Sequence, residues 1–180
     1  MRLLVIAAHP DDEVLLAGGT VAKYGGTSFI LGQGRETTTD QRFDAVALLN
    51  WVTQIEEAID REQPDTIITH HYADVNKDHR IIYEAVMAAA RPVRYRGAIW
   101  LGEVPGSTDW WHERFTPNLY VELTWEHVEA KLQAMAFYKD EVRLAPHPRS
   151  DISMTYRCNT HGATIMAPYA EAFQLVREIR

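Results

Sequence analysis

Short apolar runs alternate with segments of helical spacing along the whole chain. Residues 3–8 form a continuous apolar run, which is typical of a strand buried on both faces of a sheet. Residues 11–24 then follow helical spacing until Gly25 and Gly26. The same alternation predicts further strands at 27–31, 66–69, 98–104 and 119–123, and further helices at 45–59, 82–89, 125–139 and 169–179. Asp44 is the predicted N-cap of the second helix.

Strands that alternate with helices predict an α/β fold, in which a mostly parallel sheet carries helices on both faces. The 180 residues match the length of a single domain, and the chain shows no internal repeat and no linker. With 46% hydrophobic and 24% charged residues, the composition is that of a globular protein and excludes a disordered or fibrous chain.

Charge and cysteine content narrow the class of protein. A formal net charge of -7 argues against a protein whose main function is to bind nucleic-acid phosphates. Cys158 is the single cysteine, so no internal disulfide can form, which is typical of a reducing compartment. The apolar runs are too short for a signal-peptide core or a membrane span. We therefore expect a cytoplasmic protein without membrane insertion.

A polar cluster directly follows the first predicted strand. His9 and Asp12 are spaced as H-x-x-D at a strand-to-helix turn, where an imidazole and a carboxylate can converge on one point. Ligands of such sheets bind beyond the carboxyl ends of the strands. Metal binding is one interpretation of this cluster. The other is that Asp11 or Asp12 only caps the helix that follows.

A second polar cluster, at residues 70–79, follows the strand predicted at 66–69 and reaches the same sheet edge. His79 would complete a three-ligand site with His9 and Asp12, with one coordination position left open as in catalytic zinc sites. Two such loops at one edge favour a metal site over helix capping, and the same ligands also suit Fe²⁺. Asp74 is predicted to hold its loop through hydrogen bonds to the backbone.

Three further residues have predicted roles beside these ligands. Asp11 is better placed as a general base than as another ligand, because a bound metal acidifies its water and a nearby carboxylate can take the proton. Asp78 has two interpretations, as the N-cap of the helix that begins one residue later or as support for the metal ligands. Arg149 would hold a phosphate or sugar hydroxyls, unless it pairs with the acidic residues at 140 and 141.

These motifs resemble the PIG-L/LmbE-like family of zinc-dependent sugar N-deacetylases, and most of all its bacterial branch. The resemblance is carried by A-H-P-D-D-E at 8–13 and by the D-x-N and D-H-R elements at 74–76 and 78–80. It continues through D-Q-R-F-D at 40–44, P-N at 117–118, H-P-R-S at 147–150 and A-E-A-F at 170–173. It therefore covers nearly the whole chain.

The resemblance implies a Rossmann-like fold, a zinc site formed by His9, Asp12 and His79, and Asp11 as the general base. It implies a small-molecule substrate, an N-acetylated amino sugar of glucosamine type, free or in a glycoconjugate, which loses its acetyl group as acetate. The residues predicted to hold the sugar or its phosphate are Arg35, Asp40, Arg42 and Arg149.

Two features depart from the family pattern. Asn76 stands where many relatives carry a histidine thought to steady the oxyanion. An amide still donates a hydrogen bond but no proton, so Asn76 and Asp78 are predicted to support the oxyanion side. Residues 32–39 stand in place of a longer segment with an R-x-x-E helix and a strand, so we expect either a shortened edge of the sheet or a stretch that is missing from the sequence.

Other functions stay open on the sequence. The same scaffold could act on another N-acyl group or on an antibiotic-like glycoside. From a different class, the chain could bind a metal or a sugar without turnover. The sequence also leaves open whether the chain forms a homo-oligomer.

Overall fold

The computed structural model describes residues 1–32 and 43–179 and has the predicted α/β fold. Its strands are β1 (Leu3–Ala7), β2 (Thr27–Ile30), β3 (Thr66–His70), β4 (Ala98–Gly102), β5 (Leu119–Leu123) and β6 (Tyr169–Arg177). They form one six-stranded sheet in the order β2-β1-β3-β4-β6-β5. The first four of these strands are parallel, whereas β6 runs antiparallel to both β4 and β5. The predicted mostly parallel sheet is thus confirmed.

Helices cover both faces of this sheet. They are α1 (Asp12–Tyr24), α2 (Leu48–Glu62), α3 (Lys77–Ala89), α4 (Trp125–Met135) and α5 (Asp151–Thr164). Side chains of α2 and α3 pack into one apolar core, and side chains of α1, α4 and α5 pack into the other. Within the described ranges, no helix is long and apolar enough to cross a membrane.

Burial on both faces of the sheet explains why the sequence of β1 is apolar without interruption. Leu4 and Ile6 face the core formed with α2 and α3, whereas Leu3, Val5 and Ala7 face the core formed with α1, α4 and α5. Because successive side chains of a strand point to opposite faces, a strand covered on both sides must be apolar at every position. This burial fixes β1 in the middle of the sheet, where its carboxyl end lies beside that of β3.

The predicted C-terminal helix at 169–179 is wrong, because this segment is β6. The segment is rich in Ala, Glu, Gln and Leu, which favour helices, and this composition conceals the strand. Four consecutive residues, 170–173, are buried, as expected for a strand enclosed on both faces. Pairing with β4 on one side and β5 on the other overrides the local propensity.

One further helix and one helix boundary also differ from the prediction. Helix α5 was not predicted, because its buried stripe is only Met154, Cys158 and Gly162 on an otherwise polar segment. Helix α2 begins at Leu48, after a short 3₁₀ turn at Phe43–Ala45. Asp44 is therefore not its N-cap, and the Asp44 carboxylate instead accepts a hydrogen bond from Lys77 Nζ at 2.9 Å.

Strand β2 is one edge of the sheet within the described part of the chain. The segment expected to shorten this edge, residues 32–39, lies outside the described residues except for Gly32. The shortened edge therefore stays a prediction.

Candidate metal centre and active site

The turn between β1 and α1 brings the first two candidate ligands together. Asp11 has a positive φ of 104°, a conformation that favours glycine, so the chain turns sharply between His9 and the helix. The His9 backbone N–H donates to Asp12 Oδ2 at 3.0 Å, and His9 Nδ1 lies 3.2 Å from the same oxygen. Although Asp11 occupies the N-cap position of α1, its side chain makes no capping hydrogen bond. Helix capping is therefore not the role of the Asp11 side chain.

His79 joins this pair from the next strand of the sheet. Since β1 and β3 are adjacent and parallel, the loops that follow them lie side by side. His79 Nε2 lies 3.2 Å from Asp12 Oδ2. His9, Asp12 and His79 each offer one ligand atom, and these atoms all lie within 4.8 Å of one another. The structure thus brings together the three residues that the sequence predicts as metal ligands.

The donor atoms of this cluster fit a divalent metal ion. Asp12 Oδ1 is buried and has no hydrogen-bond partner within the described part of the chain, and the buried His79 Nε2 lies 3.2 Å from Asp12 Oδ2 without forming a hydrogen bond of regular geometry. A buried polar atom left unpaired is costly, and a metal ion would satisfy both atoms. Two imidazoles and one carboxylate form a ligand set found in zinc sites, and three protein ligands leave a coordination position open.

Neighbouring polar groups hold the candidate ligands in place. Asp74 Oδ2 lies 3.0 Å from His79 Nδ1, which directs Nε2 of that ring toward Asp12. Asp78 Oδ2 lies 3.0 Å from His9 Nε2. The His70 ring stacks on His79 with centroids 4.0 Å apart, and its Nε2 accepts a hydrogen bond from the backbone N–H that precedes His9.

The roles of Asp74 and His70 were missed at the sequence level. The predicted loop hydrogen bond of Asp74 is present, because Asp74 Oδ1 accepts from the Asn76 N–H at 2.8 Å. Its contact with His79 Nδ1 depends on the direction of its other oxygen, which no spacing rule gives. The signal available was the position of an acidic residue five places before a candidate ligand histidine.

Burial and close charge pairs shift the pKa values of the cluster. Burial disfavours charge on Asp12, but the adjacent His79 outweighs burial and holds the Asp12 pKa well below its usual value. Burial likewise opposes charge on His79, but the carboxylates of Asp12 and Asp74 raise its pKa to about 9. For His70, burial dominates and lowers the pKa to about 3, so this ring is neutral. Burial and the Asp12 carboxylate together raise the pKa of Asp11 to about 7, against the opposing effect of Arg149.

An open cavity of about 620 Å³ extends from His9 and Asp11 along the segment that follows α4. This volume lies in the range of small-ligand sites. Arg149 Nη1 donates to Asp11 Oδ2 at 2.6 Å and to Glu141 Oε2 at 2.7 Å. The predicted pairing of Arg149 with Glu141 is therefore present, and the same guanidinium also contacts the candidate base. The Tyr138 hydroxyl donates to Glu13, and the other carboxylate oxygen of Glu13 accepts from the Asp11 N–H at 3.0 Å.

Asn76 takes the N-cap position that one interpretation gave to Asp78. Helix α3 begins at Lys77, and Asn76 is its N-cap, with its side-chain oxygen accepting from the Asp78 N–H at 2.9 Å. Asp78 is therefore not an N-cap but a residue of the first helical turn, and its carboxylate faces His9. This contact matches the interpretation of Asp78 as support for a ligand. Support of an oxyanion by either residue stays a prediction.

The structure leaves the other predicted substrate residues untested. Arg35, Asp40 and Arg42 lie outside the described residues. Among the predicted substrate residues that the structure describes, only Arg149 lines the cavity beside the candidate ligands.

Comparison with known proteins points to the same family as the motifs. The family model described as "PIG-L: GlcNAc-PI de-N-acetylase" matches residues 27–90. This match confirms the resemblance to the PIG-L/LmbE-like family over residues 27–90. No curated protein sequence matches the chain.

Solved structures share the whole fold at low sequence identity. The conserved protein TT1542 from Thermus thermophilus has a TM-score of 0.72 at 19% identity, covering 99% of this chain and 96% of its own. The A40926 pseudoaglycone deacetylase Dbv21 has a TM-score of 0.71 at 14% identity, with coverage of 99% and 98%. GalB, the 4-carboxy-2-hydroxymuconate hydratase of Pseudomonas putida, has a TM-score of 0.67 at 17% identity, with coverage of 99% and 97%. At these identities the likeness establishes the fold, and the fold alone does not decide between a deacetylase and a hydratase.

Proposed function

We propose that this chain is a metal-dependent N-deacetylase that removes the acetyl group from an N-acetylated amino sugar of glucosamine type. The observation that carries the proposal is the cluster of His9, Asp12 and His79, which meets an open cavity at His9, with Asp11 beside it in the cavity wall. The match to a family described as a GlcNAc-PI de-N-acetylase supports the chemistry and the class of sugar.

His9, Asp12 and His79 would hold the metal ion, with zinc the first choice and Fe²⁺ also compatible with these ligands. Such an ion supplies a positive charge that polarises the amide carbonyl and lowers the pKa of a water molecule. Asp74 and Asp78 fix the rings of the two histidines through their second nitrogens. The protein therefore presents the ligands already oriented.

Asp11 is the group proposed to move a proton. Its side chain has no capping role and lines the cavity next to His9. In the proposed reaction the Asp11 carboxylate takes a proton from the attacking water and returns it to the amide nitrogen as the C–N bond breaks. The products are acetate and a free amino sugar.

Arg149 is proposed to orient this carboxylate and to bind the sugar or its phosphate. Its Nη1 atom holds Asp11 Oδ2 and Glu141 Oε2 at the same time, so it spans the cavity wall. Arg35, Asp40 and Arg42 remain proposed substrate contacts from the sequence alone.

Metal analysis and acetate release together test the proposal. We expect the purified chain to hold about one equivalent of zinc, to release acetate from N-acetylglucosamine derivatives and to form a primary amine. The variant His79→Ala should lose the metal, whereas the exposed His112→Ala should keep it. Asp11→Asn should retain zinc and lose at least about 10²-fold in kcat, with the exposed Asp60→Asn as its control.

Each assignment has an outcome that contradicts it. Zinc retained in full by His79→Ala would make the ligand assignment wrong, and a full rate in Asp11→Asn would make the base assignment wrong. Tight sugar or metal binding with no acetate over hours would indicate a binding module instead of an enzyme.

Another substrate on the same scaffold, either an antibiotic-like glycoside or a different N-acyl group, is the second candidate. The structural likeness to Dbv21, which is described as the deacetylase of an antimicrobial pseudoaglycone, favours the glycoside. Product analysis across formyl, acetyl and longer acyl groups, on simple sugars and on glycopeptide glycosides, separates this function from the first. Because GalB is described as a hydratase, the control for this likeness is to measure both acetate and the free amine. A hydratase adds water to a double bond and releases neither product.

A further inference from the structure

A buried ion pair lies beneath α1, outside the candidate metal centre. Lys131 on α4 and Glu171 on β6 meet with Nζ and Oε1 2.6 Å apart, and their side chains are 7% and 5% exposed. Removing two charges from water is costly, so such a pair is weak evidence for stability by itself. Its role has to be found in the backbone groups that it contacts.

Those backbone groups flank a break in α1. Ala17 has non-helical angles, φ -151° and ψ 21°, which divide the helix into two segments. Lys131 Nζ donates to the Leu15 carbonyl at 2.9 Å, at the end of the first segment. The Glu171 oxygens accept from the N–H groups of Gly19 at 3.0 Å and Thr20 at 2.7 Å, at the start of the second segment.

The signs of these contacts suit a divided helix. The last carbonyls of a helical segment carry partial negative charge, and the first N–H groups of the next carry partial positive charge. An ammonium at the first end and a carboxylate at the second are both favourable. In an unbroken helix, the Leu15 carbonyl would accept from the Gly19 N–H. The ion pair supplies a charged partner to each of these two groups.

Two glycines make room for the pair. A Cβ atom at Gly18 would lie 2.9 Å from Lys131 Cγ. A Cβ atom at Gly19 would lie 2.5 Å from a methyl group of Leu123 and 3.3 Å from Glu171 Oε1. Close packing therefore joins the G-G dipeptide of α1 to Lys131 and to the A-E-A-F motif of β6.

We propose that Lys131 and Glu171 are positioning residues for the candidate metal centre. The first segment of α1 runs only from Asp12 to the break, and Leu15 lies one turn after Asp12. A segment this short cannot absorb a shift at one end without moving the other. Lys131 holds its far end at the Leu15 carbonyl, and Glu171 fixes Lys131 while it holds the start of the second segment. His9 holds the beginning of the first segment through Asp12. The catalytic meaning of this coupling rests on the proposed function.

The test compares Glu171→Gln with Glu103→Gln. Glu103 is a matched control because it is also buried and paired, accepting from Arg157 at 2.5 Å and lying 2.6 Å from His161, but these contacts do not reach α1. A glutamine at 171 offers one acceptor oxygen for two N–H groups. We expect amide exchange at residues 14–16 to become at least about tenfold faster and Co²⁺ affinity to fall about tenfold in Glu171→Gln. Glu103→Gln should lower Tm but leave both quantities within about twofold.

Equal effects in both variants, or exchange at residues 14–16 unchanged in Glu171→Gln, would overturn the coupling. If Glu171→Gln does not fold, Gly18→Ala replaces it, because it presses on the Lys131 side chain while keeping both charges. The same two readouts are expected to change in that variant, and no change in either would also overturn the proposal. If the wild-type chain binds no Co²⁺, the proposed metal site fails, whereas the exchange measurement still decides whether the pair fixes α1.

Discussion

At the scale of single residues, the orientation of His79 depends on Asp74. This carboxylate is fully buried and accepts from Ser107, from Thr108 at 3.0 Å and from the Asn76 N–H. Burial opposes its charge, but His79 and these donors hold the Asp74 pKa below its usual value. Asp74 therefore stays an ionised acceptor for His79 Nδ1, and the other ring nitrogen remains free to bind a metal.

The variant Asp74→Asn should weaken zinc binding by about 10- to 100-fold, because an amide cannot accept from all of these donors and still fix the ring. Competition with a chromophoric chelator measures the affinity. Asp60→Asn, which changes an exposed carboxylate on α2, is the control and should bind zinc like the wild type. Unchanged affinity in Asp74→Asn would show that Asp74 serves only its loop.

The site residues that directly follow a strand could be predicted from the sequence, whereas the contacts between side chains from distant parts of the chain could not. His9, Asp11 and Asp12 share one turn, and His79 follows from the rule that parallel strands end at one edge. The contact between Arg149 and Asp11 joins residues 138 positions apart, and only the fold reveals it. The side-chain directions of Asp74 and His70 are likewise set by packing, which spacing does not encode.

At the scale of elements, hydrophobic periodicity predicts a strand or a helix correctly where one face or both faces of the element are buried. It fails where the residue composition favours a different secondary structure from the one that burial and pairing impose. The run in β1 and the stripes of α2 and α3 follow their predicted periods closely. Strand β6 has helix-favouring composition, so its strand pairing could not be predicted locally. Helix α5 buries only Met154, Cys158 and Gly162, which is too short a stripe for periodicity to detect.

Substitution of Asn76 can separate its role as the N-cap of α3 from its proposed role in supporting the oxyanion. Serine is as good an N-cap as asparagine, so Asn76→Ser should keep Tm, whereas Asn76→Ala should cost about 1 kcal/mol of stability. If the Asn76 amide also supports the oxyanion, kcat in Asn76→Ser falls by about 10²-fold, and this is the expected result. Thermal melts and initial rates on the same preparations supply both numbers. A serine variant with full kcat would leave Asn76 as a helix cap only.

At the scale of the whole molecule, the site exists because the sheet order places β1 next to β3. The segments that follow these strands carry His9 in the turn before α1, Asp12 at the start of α1 and His79 in the first turn of α3. The segment between α4 and α5 adds Arg149. Metal binding should therefore join parts of the chain that are distant in sequence, and its effect should appear in global unfolding.

A metal that binds only the folded chain stabilises it by mass action. At a free Zn²⁺ concentration of about 100 times Kd the gain is about 2.7 kcal/mol. For a domain of this size that gain corresponds to a rise in Tm of roughly 5–10 °C. Calorimetry of chelated and zinc-loaded protein should show this rise in the wild type and in His112→Ala, and none in His79→Ala. A similar rise in His79→Ala would mean that zinc binds elsewhere, because the buried Nε2 of His79 is the ligand that this variant removes.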